Sequence, residues 1–140
     1  MSKLCLGDLD KQFVATQDTY DLYIGDNNKG EEIVFTIGRT GRPEHEQVAR
    51  RFSKQLERSR RNKDKYRKLL IEIIARSVLL DWVGLIDDDN KKVPCNLENR
   101  IAILTDYAEI FTLVIETAGD TQLYRDEEEE EITEKNSKKS

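Results

Sequence analysis

The first candidates for chemistry are the acidic residues in the segment LLDWVGLIDDDNKKVPCNLENRIAIL, because clustered carboxylates can bind a divalent cation. Asp87, Asp89 and Glu98 fall at the first, third and twelfth positions of a calcium-binding EF-hand loop. The intervening positions do not fit, since Lys91 stands where an oxygen ligand is needed and Lys92 where the turn glycine is needed. The pattern therefore favours a hydrated surface turn over a calcium site.

Residues that could act as nucleophiles or general bases form no known catalytic pattern. The chain has one histidine, His45, which falls in the first turn of a predicted basic helix and is expected at the surface. No GxSxG, HExxH or Gly-rich phosphate loop occurs. Cys5 and Cys95 are far apart and belong to no CxxC motif, so we expect both to be reduced. We expect no enzymatic activity, cofactor or metal, and an enzyme with an unrecognised site is the least favoured alternative.

Length and composition indicate one small domain. The 140 residues, 37% of them hydrophobic, suffice for one modest core. The mean hydropathy is -0.70, and no apolar run approaches the ~20 residues that would cross a bilayer. The N-terminal MSKLCLGDLDK lacks the apolar stretch of a signal peptide. We therefore expect no membrane association and a cytoplasmic location.

The net charge of -5 conceals a segregation of charge along the chain. Residues 39–68 carry 12 basic and 4 acidic residues, a net charge of +8, whereas residues 1–38 and 69–140 have net charges of -4 and -9. Such segregation points to partners, or to the chain's own halves, more than to the fold. The candidate partner-binding residues are Arg50, Arg51, Lys54, Arg58 and Arg61.

The basic helix over residues 44–68 also allows a second function, that of a small nucleic-acid-binding or regulatory protein that uses these residues together with Arg60. The acidic balance of the whole chain argues against it. The helix also has only Phe52 and Tyr66 as aromatic residues, and both fit its apolar stripe. Nucleic acid is therefore the less favoured partner.

Two alternating segments predict an N-terminal β-hairpin. The apolar positions are Tyr20, Leu22 and Ile24 in one strand and Ile33, Phe35 and Ile37 in the other. The Gly- and Asn-rich connection GDNNKGEE between them can supply positive φ angles. Because a hairpin alone is barely stable in water, its apolar face must be covered.

Helical periodicity follows the hairpin. Pro43 suits the first position of a helix, where its missing N–H costs nothing, and Val48, Phe52 and Leu56 give that helix an apolar face. A broader stripe predicts a second, central helix over residues 64–82. The stripe consists of Tyr66, Leu69, Leu70, Ile73, Ile74, Ser77 and Leu80.

The last helical segment begins behind an N-cap at Asn96, with Glu98 near the positive end of the helix dipole. It is expected to bend near Tyr107 and to end at Gly119, which suits a C-cap. From Asp126 onward, the run DEEEEEITEKNSKKS has little apolar surface to bury.

Together these elements predict an α+β fold, a mostly helical single domain with an N-terminal β-hairpin and a disordered acidic C-terminal tail. We expect an irregular N-terminal segment over residues 1–18, the hairpin and helical domain over residues 19–120, and the disordered acidic tail over residues 121–140.

In LLDWVGLIDDDNKKVPCNLEN, an apolar run passes into a tryptophan–glycine turn formed by Trp82, Gly84 and Leu85, and then into an acidic exit at Asp87 and Asp89. The short piece that opens the next helix is Val93, Pro94, Asn96, Glu98 and Asn99. The later LTDYAEIFTLVIETAGD supplies a closing helix. This pattern resembles the tail assembly chaperones of long-tailed, siphovirus-type bacteriophages over residues 33–120.

Three positions depart from the family pattern. Val83 stands at a position that is often acidic in that family, Asn90 replaces a common turn glycine, and Cys95 replaces an aromatic or small residue. Asn90 can still adopt the left-handed conformation that a turn glycine would take.

The resemblance implies a non-enzymatic protein of the host cytoplasm, absent from the mature virion, that binds the tape measure protein and promotes assembly of the tail tube. The implied partners are the tape measure protein, the tail tube protein and further copies of this chain. The apolar surroundings of Trp82 predict that its large side chain is a structural core anchor and not a contact for partners.

Overall fold

The computed structural model describes residues 17–125, which form a three-stranded sheet, four α-helices and one short 3-10 helix. The strands are β1 (Thr19–Asp26), β2 (Glu32–Gly38) and β3 (Leu79–Val83); the helices are α1 (Pro43–Arg58), α2 (Lys63–Ser77), α3 (Leu97–Asp106) and α4 (Ala108–Gly119), with the 3-10 helix at Thr121–Tyr124. The predicted α+β class is confirmed. Residues 1–16 of the predicted irregular segment and residues 126–140 of the predicted tail lie outside the described residues.

The predicted hairpin is confirmed, with β1 and β2 paired antiparallel. Leu22 lies opposite Phe35 and Tyr20 opposite Ile37, so the apolar positions of both strands share one face. Asn27 closes the connection, because its Oδ1 accepts hydrogen bonds from the backbone N–H groups of Lys29 (2.9 Å) and Glu31 (3.0 Å). The apolar face is the one that the helices cover.

The prediction that the second helix extends to residue 82 is wrong, because α2 ends at Ser77 and the next residues form β3. This strand pairs antiparallel with β2 and completes the sheet in the order β1-β2-β3. Its register shifts between Thr36 and Ile37 of β2, so that Leu79 and Trp82, three positions apart, are both buried. The misassignment arose because Ile73, Ser77 and Leu80 continue at helical spacing past the residue where α2 ends.

One core joins the inner face of the sheet to α2, α3 and α4. Its buried members are Phe35, Ile37, Ile71, Ile74, Ala75, Val78, Leu79, Trp82, Leu104, Phe111, Val114 and Ala118. The helix α1 has no fully buried residue and packs on α2 through the half-buried Val48, Phe52 and Leu56. It is therefore the most peripheral helix of the described fold.

The predicted cap and bend in the last helical segment are confirmed. The Oδ1 of Asn96 accepts a hydrogen bond from the backbone N–H of Asn99 at 2.8 Å. The backbone at Tyr107 (φ -121°, ψ 88°) separates α3 from α4, which ends at Gly119, although Asp120 and not the glycine is the cap residue.

Residues 121–124, which the sequence analysis assigns to the tail, form the 3-10 helix. Tyr124 is fully buried and packs edge-on against Tyr20, with ring centroids 6.1 Å apart. Burial and the charge of Asp120 raise the pKa of Tyr124 to about 12. Within residues 17–125, no helix is long and apolar enough to cross a membrane.

Candidate partner-binding surface

Trp82 lies in the core, as expected for an anchor, but on a strand and not at the end of a helix. Its ring is 5.7 Å from that of Phe35, centroid to centroid, and its indole N–H donates to the backbone oxygen of Val93 at 2.8 Å. The side chain is 6% exposed, so both its apolar body and its polar atom are used within the fold. It is not available to a partner.

Gly84 forms a close backbone contact that no other residue type would allow. Its φ is +80°, and a Cβ at this position would overlap the backbone oxygen of Glu32. The Gly84 oxygen in turn accepts a hydrogen bond from Asn27 Nδ2 at 2.8 Å. The turn at Gly84 thus packs directly against the hairpin, through Asn27 and Glu32.

The acidic turn is closed by the side chain of its first aspartate, Asp87. Asp87 Oδ1 accepts hydrogen bonds from the N–H groups of Asp89 (2.9 Å) and Lys91 (3.0 Å), and Asn90 adopts the left-handed conformation with φ 62°, as predicted. No group of three or more His, Cys, Asp or Glu side chains in the described part of the chain is arranged to hold a metal ion. Of the three aspartates in this turn, Asp87 supports the local structure.

His45 is not the surface residue that the sequence suggested. It is half-buried, and its Nδ1 lies 3.0 Å from Ser77 Oγ, while that hydroxyl donates to the backbone oxygen of Ile73 at 2.7 Å. Because the hydroxyl proton is directed at Ile73, the serine accepts from the imidazole, and the pair has the reverse polarity of a Ser–His catalytic dyad. Burial, followed by the charge of Arg42, lowers the pKa of His45.

Cys95 is reduced and half-buried, with its Sγ 3.8 Å from the backbone oxygen of Leu80. Burial raises the pKa of its thiol, which disfavours the reactive thiolate. Cys5 lies outside the described residues. The geometry at Cys95 suits a packing role.

The exposed side of α1 brings four of the five candidate partner-binding residues together. At 3.6 residues per turn, positions 50, 51, 54 and 58 fall within an arc of about 100°, roughly opposite the apolar line. We call this set the basic face; its members are Arg50, Arg51, Lys54 and Arg58, and all are exposed. The fifth candidate, Arg61, is also exposed but lies in the turn between α1 and α2. In residues 17–125 none of these five side chains forms an ion pair.

A groove between α1 and α2 adjoins the basic face. Its volume is about 340 Å³, and it is lined by Gln55, Arg58, Ser59, Lys65, Lys68 and Leu69. Sequence reasoning did not single out Lys65 and Lys68, although their spacing of three on a helix indicates a shared side. The groove combines cationic rims with an apolar wall.

The outer face of the sheet carries a second feature that the sequence analysis missed. The pairing places Tyr23 opposite Val34 and Val34 opposite Val83, so these three residues form one row across all three strands. Tyr23 and Val83 are 54% and 60% exposed. The alternation in β1 could have indicated Tyr23 as outward-facing, but the row depends on β3, which was read as helix.

The comparisons with known proteins place this architecture in a phage context. The family model described as YdaY prophage protein matches residues 41–135, a range that contains α1, α2, β3, α3 and α4. No curated protein and no solved structure matches the chain. Because the match spans well over half of the 140 residues, the chain belongs to the YdaY prophage protein family and is a phage-derived protein.

Proposed function

We propose that this protein is a phage tail assembly chaperone, without catalytic activity or cofactor, that acts in the host cytoplasm. Its main partner is the tape measure protein, and it promotes assembly of the tail tube through the tail tube protein and further copies of itself. The observation that carries the proposal is the overlap of two ranges. The prophage family matches residues 41–135, and the resemblance to tail assembly chaperones covers residues 33–120.

The structural roles of the resembling residues support the proposal. Trp82 and Gly84 fix the third strand and its turn, Asp87 closes the acidic loop, and Asn96 caps α3. These residues stabilise the fold, and binding is left to exposed residues elsewhere. This is expected of a binding module whose sequence motif has a structural role.

The surface beside this framework suits a charged helix. An amphipathic helix can dock with its apolar stripe against Leu69 and its acidic residues near Arg58, Lys65 and Lys68. The four cations of the basic face would raise the rate of encounter with an acidic segment more than they would raise the final affinity. The tape measure protein, which the resemblance implies to be long and helical, would offer many such segments.

Co-expression with the tape measure protein of the same prophage tests the proposal. We expect the tape measure protein to be recovered in soluble form and in complex with this chain when the two are co-expressed, and to be largely insoluble when it is expressed alone. A carrier protein of similar size and net charge is the control. In the phage, deletion of the gene should abolish tails while leaving filled heads. Normal tails in the deletion strain would refute the proposal.

One observation keeps nucleic acid as a second candidate partner. The basic face has no acidic ion-pair partner in the described part of the chain, and Lys65 and Lys68 extend it across the groove. If nucleic acid is the partner, titration with duplex DNA at two salt concentrations should give an affinity whose logarithm falls steeply with the logarithm of salt. The chaperone proposal predicts binding too weak to measure near physiological salt.

A further inference from the structure

The described chain ends beside the segment that leads into α1. The Tyr124 oxygen accepts a hydrogen bond from the N–H of Gln17 at 2.8 Å, next to Asp18, which forms a 3.1 Å ion pair with Arg39. The N–H of Thr40 donates to the oxygen of Ala118 at 3.0 Å. The end of the described chain therefore lies close to the segment that leads into α1.

The sequence places its strongest acidic run directly after this end of the described chain. Asp126 and the five glutamates at 127–131 are consecutive, and they follow Arg125, the last described residue. The basic face, within reach on α1, carries four cations, and no Asp or Glu falls within its arc. Opposite charges in these numbers, joined by one chain, attract each other strongly at low salt.

The distances allow the two to meet. Six extended residues span at most about 20 Å. Arg50 lies about 10 Å and Arg58 about 22 Å along the helix axis from Pro43, given a rise of 1.5 Å per residue. Three extended residues cover about 10 Å, so residues 128–131 can lie along Arg50, Arg51 and Lys54. Glu134, with about 30 Å of chain, can reach Arg58.

We infer that the acidic run 126–131 of this chain binds its own basic face. The contact is intramolecular, so its effective concentration is in the millimolar range, and individually weak surface ion pairs suffice to populate it. An external partner must displace the run, so a weakly bound polyanion such as nonspecific DNA is rejected, while a segment that also fills the groove is accepted. This inference goes beyond the proposed function, because it concerns the isolated chain and holds whatever the external partner is.

Paramagnetic relaxation on the full-length chain tests the contact. A nitroxide attached at Thr133→Cys, in a background with Cys5→Ser and Cys95→Ala, should cause loss of amide signal along α1 around residues 50–58. In about 1 M salt, where the screening length falls to about 3 Å, the signals should recover. The reversal R50E/R51E/K54E should abolish the effect, whereas K29E/K91E/K92E, which changes the charge equally at exposed loop positions, should leave it intact. Undiminished α1 signals at low salt would overturn the inference.

Further measurements test for other occupants of the basic face, first with the label and then without it. In one experiment, chain that carries the nitroxide is mixed with isotope-enriched chain that does not. If the α1 signals are lost only in such mixtures, the contact is with a second copy, and this result would overturn the inference. In the unlabelled chain, changing Asp126 to Asn and residues 127–131 to Gln should shift the α1 amide resonances. The same variant should bind a short DNA duplex more tightly than the unmodified chain. Equal DNA binding by both chains would show the basic face to be open and would also overturn it.

Discussion

At the residue scale, the polar atom of Trp82 matters as much as its size. The indole buries a large apolar area against Phe35, and its N–H satisfies the oxygen of Val93 in the loop that leads to α3. A single side chain thus connects the sheet with the segment that positions the third helix.

Two contributions of Trp82 to stability can be measured separately: the packing of its ring and the hydrogen bond of its indole N–H. We expect Trp82→Ala to lower the free energy of unfolding by about 3 kcal/mol or more, because it leaves a large cavity. Trp82→Phe retains much of the apolar contact but leaves the Val93 oxygen without its donor, and should cost about 1–3 kcal/mol. Urea unfolding measures both. An unchanged melting temperature for the alanine variant would contradict the core position of the ring.

His45 gives the stability of the protein a pH dependence of known sign. Burial and the positive charge of Arg42 lower its pKa from the ordinary value of 6.5, so the fold favours the neutral imidazole. Stability from this group is complete above pH 6.5 and is lost as the pH falls toward the lower, folded-state pKa, since the unfolded chain then binds the extra proton.

We expect the unfolding free energy to decrease as the pH is lowered from 7.5 to 5.5. The chain has one histidine, and histidine is the side chain whose unperturbed pKa falls in this range. His45→Asn retains a donor toward Ser77 without a titrating ring, and its stability should change less over the same window. Thermal unfolding at several pH values provides the comparison. Parallel curves for both proteins would contradict the assignment.

At the element scale, the sequence predicted most of the elements and missed one. Local sequence signals were sufficient to predict β1, β2, the start of α1 and the start of α3. These signals are the alternation in the two strands, Pro43 and the Asn96 cap. The third strand was misread because the predicted stripe of the second helix continues to Leu80 at helical spacing, past the end of α2 at Ser77. The outer row of the sheet was missed for the same reason, since a row across strands exists only once the register is known.

Gly84 and Gly119 form a matched pair for testing the turn. Gly84→Ala should cost about 1–3 kcal/mol, because the residue has φ +80° and its new methyl group would meet the Glu32 oxygen. Gly119→Ala, at the end of α4 with open space around it, should be neutral or stabilising by up to about 1 kcal/mol. Chemical denaturation decides, and equal effects of the two changes would refute the close contact at Gly84.

The acidic turn offers a second matched pair. Asp87→Ala removes the acceptor of two backbone hydrogen bonds and should cost about 1 kcal/mol, whereas Asp88→Ala should stay within about 0.5 kcal/mol of the parent. The melting temperature should be the same with calcium and with a chelator. An increase with calcium would support the cation site that the aspartates suggested and contradict a purely structural turn.

At the scale of the whole molecule, positive charge is concentrated on α1 and the segment that follows it. The basic helix α1 is peripheral and the core is built by the other elements, so its surface can be changed without disturbing the fold. Four of the five candidate partner-binding residues lie on α1. The basic helix predicted over residues 44–68 is not continuous, because α1 ends at Arg58 and α2 begins at Lys63. The sequence also did not predict the groove, whose two walls come from different helices.

The reversal R50E/R51E/K54E should therefore separate binding from folding. These side chains are exposed and have no ion-pair partner among residues 17–125, so the unfolding free energy should change by no more than about 0.5 kcal/mol. Association with the tape measure protein should become slower, and its dependence on salt should weaken or reverse. Stopped-flow association at two salt concentrations measures this. An unchanged rate would place the binding surface elsewhere.

The order of the sheet has a consequence for synthesis on the ribosome. The hairpin partner β2 ends at Gly38, but the strand that completes the sheet ends only at Val83. At about 5–20 residues per second, these 45 residues take about 2–9 s to translate. Throughout that interval the nascent hairpin lacks its third strand, and α2, which helps to cover its apolar side, is complete only once Ser77 has been added. The first surfaces available to that apolar side are therefore the ribosome and the chaperones of the host cell.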